Sequence, residues 1–127
     1  MRSLLKSKIH NAIVTEANIN YLGSITLPRK LTRIVDLWPG EKVLVVDNTN
    51  GERLWTYVIE GSNPELISMN GAASHKIKPG DEIIVMAFCW TDKKIHPRNI
   101  LVDKRNQFVS FLGVEQESII NDSLKES

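Results

Sequence analysis

Gly23-Ser24 stands between Tyr21-Leu22 and a short apolar run that starts at Ile25. A serine that follows a glycine can attack the carbonyl before it, because glycine has no Cβ and tolerates the unusual backbone geometry such an attack needs. The resulting ester can break by β-elimination and leave a ketone at a new N-terminus. A small protein can in this way make an electrophilic cofactor from its own side chain. An isolated Gly-Ser pair is nearly always a turn, but this one has company. Lys8 and His10 precede it, Arg53, Thr56 and Tyr57 follow it, and Asn70-Gly71-Ala72-Ala73 comes later.

Each neighbour has a chemical and a plain reading. In a strand, Arg53 and Tyr57 project from the same face as Trp55. The arginine offers a planar fork for a carboxylate, and the tyrosine can deliver a proton to a developing carbanion. The plain reading is a cross-strand packing row with a snorkelling arginine. Thr56 points to the opposite face of an ideal strand, so a site using both Thr56 and Tyr57 needs a twist, a bulge or two faces. Around Asn70-Gly71-Ala72-Ala73, small side chains let backbone N–H groups approach a bound carboxylate, or else mark a strand-to-helix turn. Lys8 and His10, two apart, share a strand face; the pair suits an anionic substrate, or the wet side of an edge strand.

Several chemistries lack support. The histidines at 10, 75 and 96 have no metal-ligand spacing and no cysteine pattern beside them, so no metal site is expected. No GxxxxGK[ST], GxGxxG or GxSxG element occurs, which removes the usual nucleotide loops and the serine-hydrolase elbow.

The elements that must position these residues are short strands separated by turn signals. Segments 43–46 and 54–59 flank Asn48-Thr49-Asn50-Gly51, where Asn-Gly supplies the positive φ angles of a tight hairpin turn. Pro39-Gly40 and Pro79-Gly80-Asp81 mark turns before strands at 42–47 and 82–90. Segments 99–103 and 107–112 form a last strand pair around Lys104-Arg105-Asn106. One helix is predicted from Pro28 to about Trp38, with Leu31, Ile34, Val35 and Trp38 on one face and Pro28 in its first turn. Many short strands with one short helix point to a closed or nearly closed barrel. Residues 1–112 read as one domain and 113–127 as a variable, mobile tail, with a fraying helix possible over 114–124.

Composition sets the class. A chain of 127 residues with 42% hydrophobic and 24% charged residues is an ordinary globular domain. Sixteen basic against fifteen acidic residues leave a net charge of +1, without the field of a nucleic-acid binder. Arg29, Lys30 and Arg33 read as a solvated helix face. Cys89, the one cysteine, lies in the apolar run 83–90 and reads as a small buried hydrophobe; an intrachain disulfide is excluded. That run is far below the ~20 residues that span a bilayer, and the N-terminus is not a signal peptide, so a cytoplasmic protein is expected.

Taken together, Lys8-Ile9-His10, Tyr21-Leu22-Gly23-Ser24, Asn50-Gly51-Glu52-Arg53, Thr56-Tyr57 and Asn70-Gly71-Ala72-Ala73-Ser74-His75 resemble the aspartate 1-decarboxylase family in order and spacing, from about residue 1 to about residue 112. Pro79-Gly80-Asp81 and His96-Pro97 before Ile100-Leu101-Val102-Asp103 continue the resemblance. It implies a double-psi β-barrel with one or two short helices and a homotetramer with sites between subunits. It also implies conversion of L-aspartate to β-alanine and CO2 for pantothenate biosynthesis.

The same resemblance implies a proenzyme that cuts itself into residues 1–23 and 24–127. Ser24 then becomes a pyruvoyl group that forms a Schiff base with the substrate, and Gly23 ends the short chain. Tyr57 is the proton donor, Thr56 contacts substrate and assists cleavage, and Gly71, Ala72 and Ala73 bind substrate through backbone groups. Arg53 and Lys8 hold carboxylates, with His10, Tyr21 and Asn70 in support. Val46 departs from the tryptophan that some members carry near the site, which bears on the pocket's shape. Two rivals differ in class: a non-catalytic barrel in which Gly23-Ser24 is a turn, and a hydrolase using Ser24 with His10 or His75 as base.

Overall fold

The computed structural model describes residues 1–113. From residue 114 onward the predicted tail, with its helix over 114–124, lies outside the described residues. These contain nine strands: β1 (Arg2–Ile13), β2 (Glu16–Asn18), β3 (Ser24–Pro28), β4 (Lys42–Asp47), β5 (Arg53–Gly61), β6 (Ser68–Asn70), β7 (Glu82–Thr91), β8 (Arg98–Val102) and β9 (Phe108–Phe111). One α-helix, α1 (Arg29–Val35), and a 3-10 turn over Gly71–His75 join them. The strands follow one hydrogen-bonded order, β2-β6-β3-β5-β4-β7-β1-β8-β9. The fold is mainly β and barrel-like, as the sequence predicts.

Alternation along the strands builds the core. Val43 and Val45 of β4, Ile83 and Val85 of β7, Ile9 of β1, Val58 of β5 and Ile100 of β8 all turn inward and are buried. Each such side chain contributes about 1.5–3 kcal/mol by leaving water. The opposite face of β5, β4 and β7 is different. It presents Trp55, Tyr57, Phe88 and Trp90 to solvent.

The hairpin between β4 and β5 forms as predicted, paired from Lys42–Tyr57 to Val46–Arg53. Its turn is looser than an Asn-Gly two-residue turn: of the loop residues only Gly51 has positive φ, at 78°. Asp47 organises the loop, its Oδ1 accepting the Thr49 and Asn50 N–H groups at 2.7 and 3.2 Å. Strands β8 and β9 pair antiparallel around Asn106, which has φ 61° and clamps the Ile13 backbone with both ends of its amide.

The helix is shorter than predicted. Pro28 ends β3 and precedes α1 instead of lying in its first turn, and Asp36 stops the helix in the left-handed region at φ 59°. Its short polar side chain tolerates that conformation. Trp38, predicted on the buried face, is therefore 72% exposed, and Leu37 is buried in its stead. Ser7 of β1 holds the helix end by donating its hydroxyl to the Val35 carbonyl at 2.5 Å. Arg29, Lys30 and Arg33 are exposed as expected, with Arg29 3.5 Å from Glu60. Cys89 is half-buried, not enclosed. No helix among the described residues is long and apolar enough to cross a membrane.

Candidate active site

Strand β3 begins at Ser24, so the Gly23–Ser24 bond lies where an exposed turn enters the core. Gly23 is exposed, whereas Ser24 and Ile25 are fully buried. The turn is made by Asn18, whose Oδ1 accepts the Asn20 N–H at 3.2 Å and whose carbonyl accepts the Tyr21 N–H at 3.3 Å. β3 pairs antiparallel with β6, Ser24 opposite Asn70 and Thr26 opposite Ser68.

That register assembles the polar centre of the site. Asn70 Nδ2 donates to Ser24 Oγ at 2.8 Å and to Thr26 Oγ1 at 3.0 Å. Ser68 Oγ donates to Asn70 Oδ1 at 2.9 Å. Ser24 Oγ in turn donates to the Leu22 carbonyl at 3.2 Å. Behind the same bond, Gly71 packs its backbone directly on Gly23, in a positive-φ conformation.

β3 also pairs, in parallel, with β5, starting at Ile25–Val58. One residue earlier on each strand stand Ser24 and Tyr57. β5 therefore runs on past the start of β3, and a cleft of about 420 Å³ opens beside that overhang. Its walls include Gly23, Thr56, Tyr57, Ala72, Ala73 and Lys76. Thr56 and Tyr57 keep opposite directions along the strand, yet both border the cleft because it flanks an uncovered strand edge. The 3-10 turn at Gly71–His75 supplies the far wall, with Ser74 Oγ donating to the Gly71 carbonyl at 2.7 Å. The first N–H groups of such a turn have no partner within it.

Lys8 and Arg53 are not brought to this cleft. Lys8 sits on β1, which is an inner strand between β7 and β8, not an edge. The pairings Trp55–Leu44, Leu44–Met86 and Met86–Lys8 run across β5, β4, β7 and β1, placing Lys8 and Trp55 on one outer face. Arg53 joins that face beside its partner Val46, and His10 lies two residues beyond Lys8. By register Val46, Ile84, Leu44 and Met86 lie between them, and aromatic rings flank that row: Trp55 and Phe88 stand 6.2 Å apart, with the Lys42 ammonium 4.8 Å from the Trp55 ring. Tyr21 contributes backbone near Gly71, while the residue is about half exposed.

Three contributors escape the sequence reading. Thr26 and Ser68 look like solvent-side residues of short strands, and the lattice of hydroxyls around Asn70 exists only through the β3–β6 register. Lys76 follows His75 without any motif of its own. Its carbonyl accepts Asn50 Nδ2 at 2.8 Å, tying the hairpin loop to the cleft wall, and its ammonium lies 3.7 Å from Glu52.

Comparison with known proteins gives one answer. A family model described as aspartate decarboxylase matches residues 1–109. The chain is similar to the aspartate 1-decarboxylase of Shouchella clausii, 42% identical over 124 residues that cover 94% of this chain and 98% of that protein. It is similar to the protein of the same description from Chlorobium phaeovibrioides, 50% identical over 108 residues covering 81% and 84% of the two chains. The counterpart from Desulfitobacterium hafniense is 47% identical over 119 residues, covering 90% and 94%.

Proposed function

The chain belongs to the aspartate decarboxylase family and is a carboxy-lyase acting on L-aspartate; we propose that it works through a pyruvoyl group made from its own Ser24. The observation that carries this reading is the buried Ser24 hydroxyl, held by Asn70 immediately after an exposed glycine. Attack of Oγ on the Gly23 carbonyl carbon exchanges the peptide bond for an ester. Elimination across Cα and Cβ of Ser24 then returns Gly23 as a carboxylate. Water finally replaces the residue-24 nitrogen, which leaves as ammonia, and a ketone remains.

The residues present fit such a group: the cleft reaches the bond to be cut, and small side chains at Ala72 and Ala73 leave room beside it. Once bonded to the substrate amine with loss of water, such a group would supply the conjugated sink for the electron pair that the departing CO2 leaves behind. Tyr57, level with Ser24 one residue before the Ile25–Val58 pair, is the proton donor that completes β-alanine. Thr56 and the backbone of Gly71, Ala72 and Ala73 hold the substrate within the cleft. β-Alanine formed in the cytoplasm then feeds pantothenate synthesis.

Arg53 and Lys8 bind carboxylates in this reading, with His10 beside them, yet none of the three lines the cleft of their own chain, which takes Trp55 and Tyr57 from their outer face. We therefore propose that a second copy brings them, in a homotetramer whose sites lie between subunits. An exposed aromatic face carrying those cations supports that arrangement, since solvent-facing apolar patches of this kind mark contact surfaces. The test is intact mass after warm incubation. Fragments 1–23 and 24–127, the larger reactive towards hydrazines, are expected; a chain that stays whole overturns the pyruvoyl reading. Ser24→Ala should remain full length.

A further inference from the structure

Of the three residue pairs between β3 and β6, the outer two set Ser24 opposite Asn70 and Thr26 opposite Ser68, all polar, around the buried Ile25–Met69 pair in a region that is otherwise core. Ser24 is fully buried, and Ser68 and Asn70 are each only 4% exposed. Side chains buried this deeply usually satisfy themselves on backbone or water. Asn70 does otherwise: its amide meets three hydroxyls, at 2.8, 3.0 and 2.9 Å. The χ2 torsion of asparagine is broad and roughly two-fold, so packing alone does not fix which way an amide faces. Here Ser68 holds one end and Thr26 shares the other with Ser24. Thr26 is itself confined, because a Cβ on Gly61 would stand 2.9 Å from its methyl group.

We infer that Ser68 is a positioning residue for self-cleavage, acting through Asn70 to hold Ser24 Oγ where it can reach the Gly23 carbonyl. Ser68 touches neither the reacting atoms nor the cleft. Its influence runs through one hydrogen bond to Oδ1, which sets the plane of the amide and thereby the location of Nδ2 against Oγ. Without that bond the amide turns about χ2 and Ser24 Oγ is left with the longer bond to the Leu22 carbonyl alone. The inference rests on the pyruvoyl reading, since it concerns how fast Ser24 is converted.

The experiment follows the ratio of intact chain to fragments 1–23 and 24–127 by mass over time, in the parent, Ser68→Ala and Ser68→Thr. Removing the hydroxyl should slow cleavage about five- to tenfold, the factor a single neutral hydrogen bond is worth. Ser68→Thr keeps the hydroxyl and should cleave within about twofold of the parent rate. A purely structural serine would not show that rescue, because threonine disturbs packing more than alanine does. Parent-rate cleavage in Ser68→Ala overturns the inference, as does equal slowing in both variants. A parent chain that never cleaves overturns the pyruvoyl reading and this inference with it. If Ser68→Ala does not fold, Ser68→Cys keeps the size with a weaker donor: slowing supports the inference and parent-rate cleavage overturns it.

Discussion

Gly71 lies so close to Gly23 that a Cβ added to it would stand 2.7 Å from the Gly23 Cα and 2.8 Å from the Gly23 nitrogen. Tyr21 contributes a third backbone atom, its carbonyl oxygen, at 3.0 Å from the same point. All three are main-chain atoms, so no rotamer change relieves the clash. Gly71 also has φ +65°, where a side chain costs about 1–2 kcal/mol on its own. The bond before Ser24 is thus held from behind by a glycine far along the chain.

Gly71→Ala should therefore displace the residues around the scissile bond and stop cleavage, leaving an otherwise folded protein. Intact mass reports the cleavage and circular dichroism reports the fold. Cleavage at the parent rate would mean that this contact does not position Gly23.

Tyr57→Phe removes only a phenolic proton. Cleavage should proceed while β-alanine formation falls about 10²–10⁴-fold, the usual size of a lost general acid. Gel analysis and CO2 release on the same samples separate the two effects. Undiminished decarboxylation would assign the proton to water or another group.

Arg53 and Ser24 should complement each other between copies. Ser24→Ala and Arg53→Ala are each expected to be inactive alone, yet mixed oligomers formed by co-expression should regain a fraction of activity. Light scattering should give about four times the chain mass for the parent. Inactive mixtures, or a monomer that turns over aspartate, would show that one chain holds a whole site.

Asp47 makes stability depend on pH. Burial pushes its carboxyl above the ordinary 3.8, and the neighbouring Asp81 carboxyl adds to this, against the Thr49 and Asn50 N–H groups that pull it down. Protonation is thus easier in the folded state. The stability this group contributes is complete below 3.8 and is lost as the pH rises through the raised folded value. Asp47→Asn is neutral throughout and keeps the Oδ1 acceptor. The Tm of the variant minus that of the parent should grow as the pH rises from 3.8 through the raised folded value. A difference constant with pH would show that Asp47 titrates alike in both states.

What could be read from the residues was what is local. The hairpin around Asn48-Thr49-Asn50-Gly51 and the pair around Asn106 carry their turn chemistry in adjacent positions. The parallel pairings of β3 with β5 and of β1 with β8 join segments far apart and leave no mark in either one. For that reason neither segment shows on its own why Thr56 and Tyr57 share one cleft, which comes from β3 starting late against β5. Ser68, flanked by Ile67 and Met69, looks like the wet side of a strand until β6 is laid against β3. Lys8 and Arg53 carry the right chemistry, but their common outer face is a property of the whole sheet.

The fragment that cleavage at Gly23 would detach contains β1 and β2. β1 is joined to β7 from Arg2–Thr91 to Ile13–Glu82 and to β8 from Ser7–Arg98 to His10–Leu101, and β2 is joined to β6. Cutting the chain therefore releases nothing while the sheet stands, but it changes the molecularity of unfolding. In the intact precursor each chain folds its own sheet in a first-order step, and only subunit assembly depends on dilution, whereas the cut protein must find its missing inner strand by collision before the sheet can form. Refolding of the processed form should slow as concentration falls, and in a dilute solution denaturation becomes a one-way event.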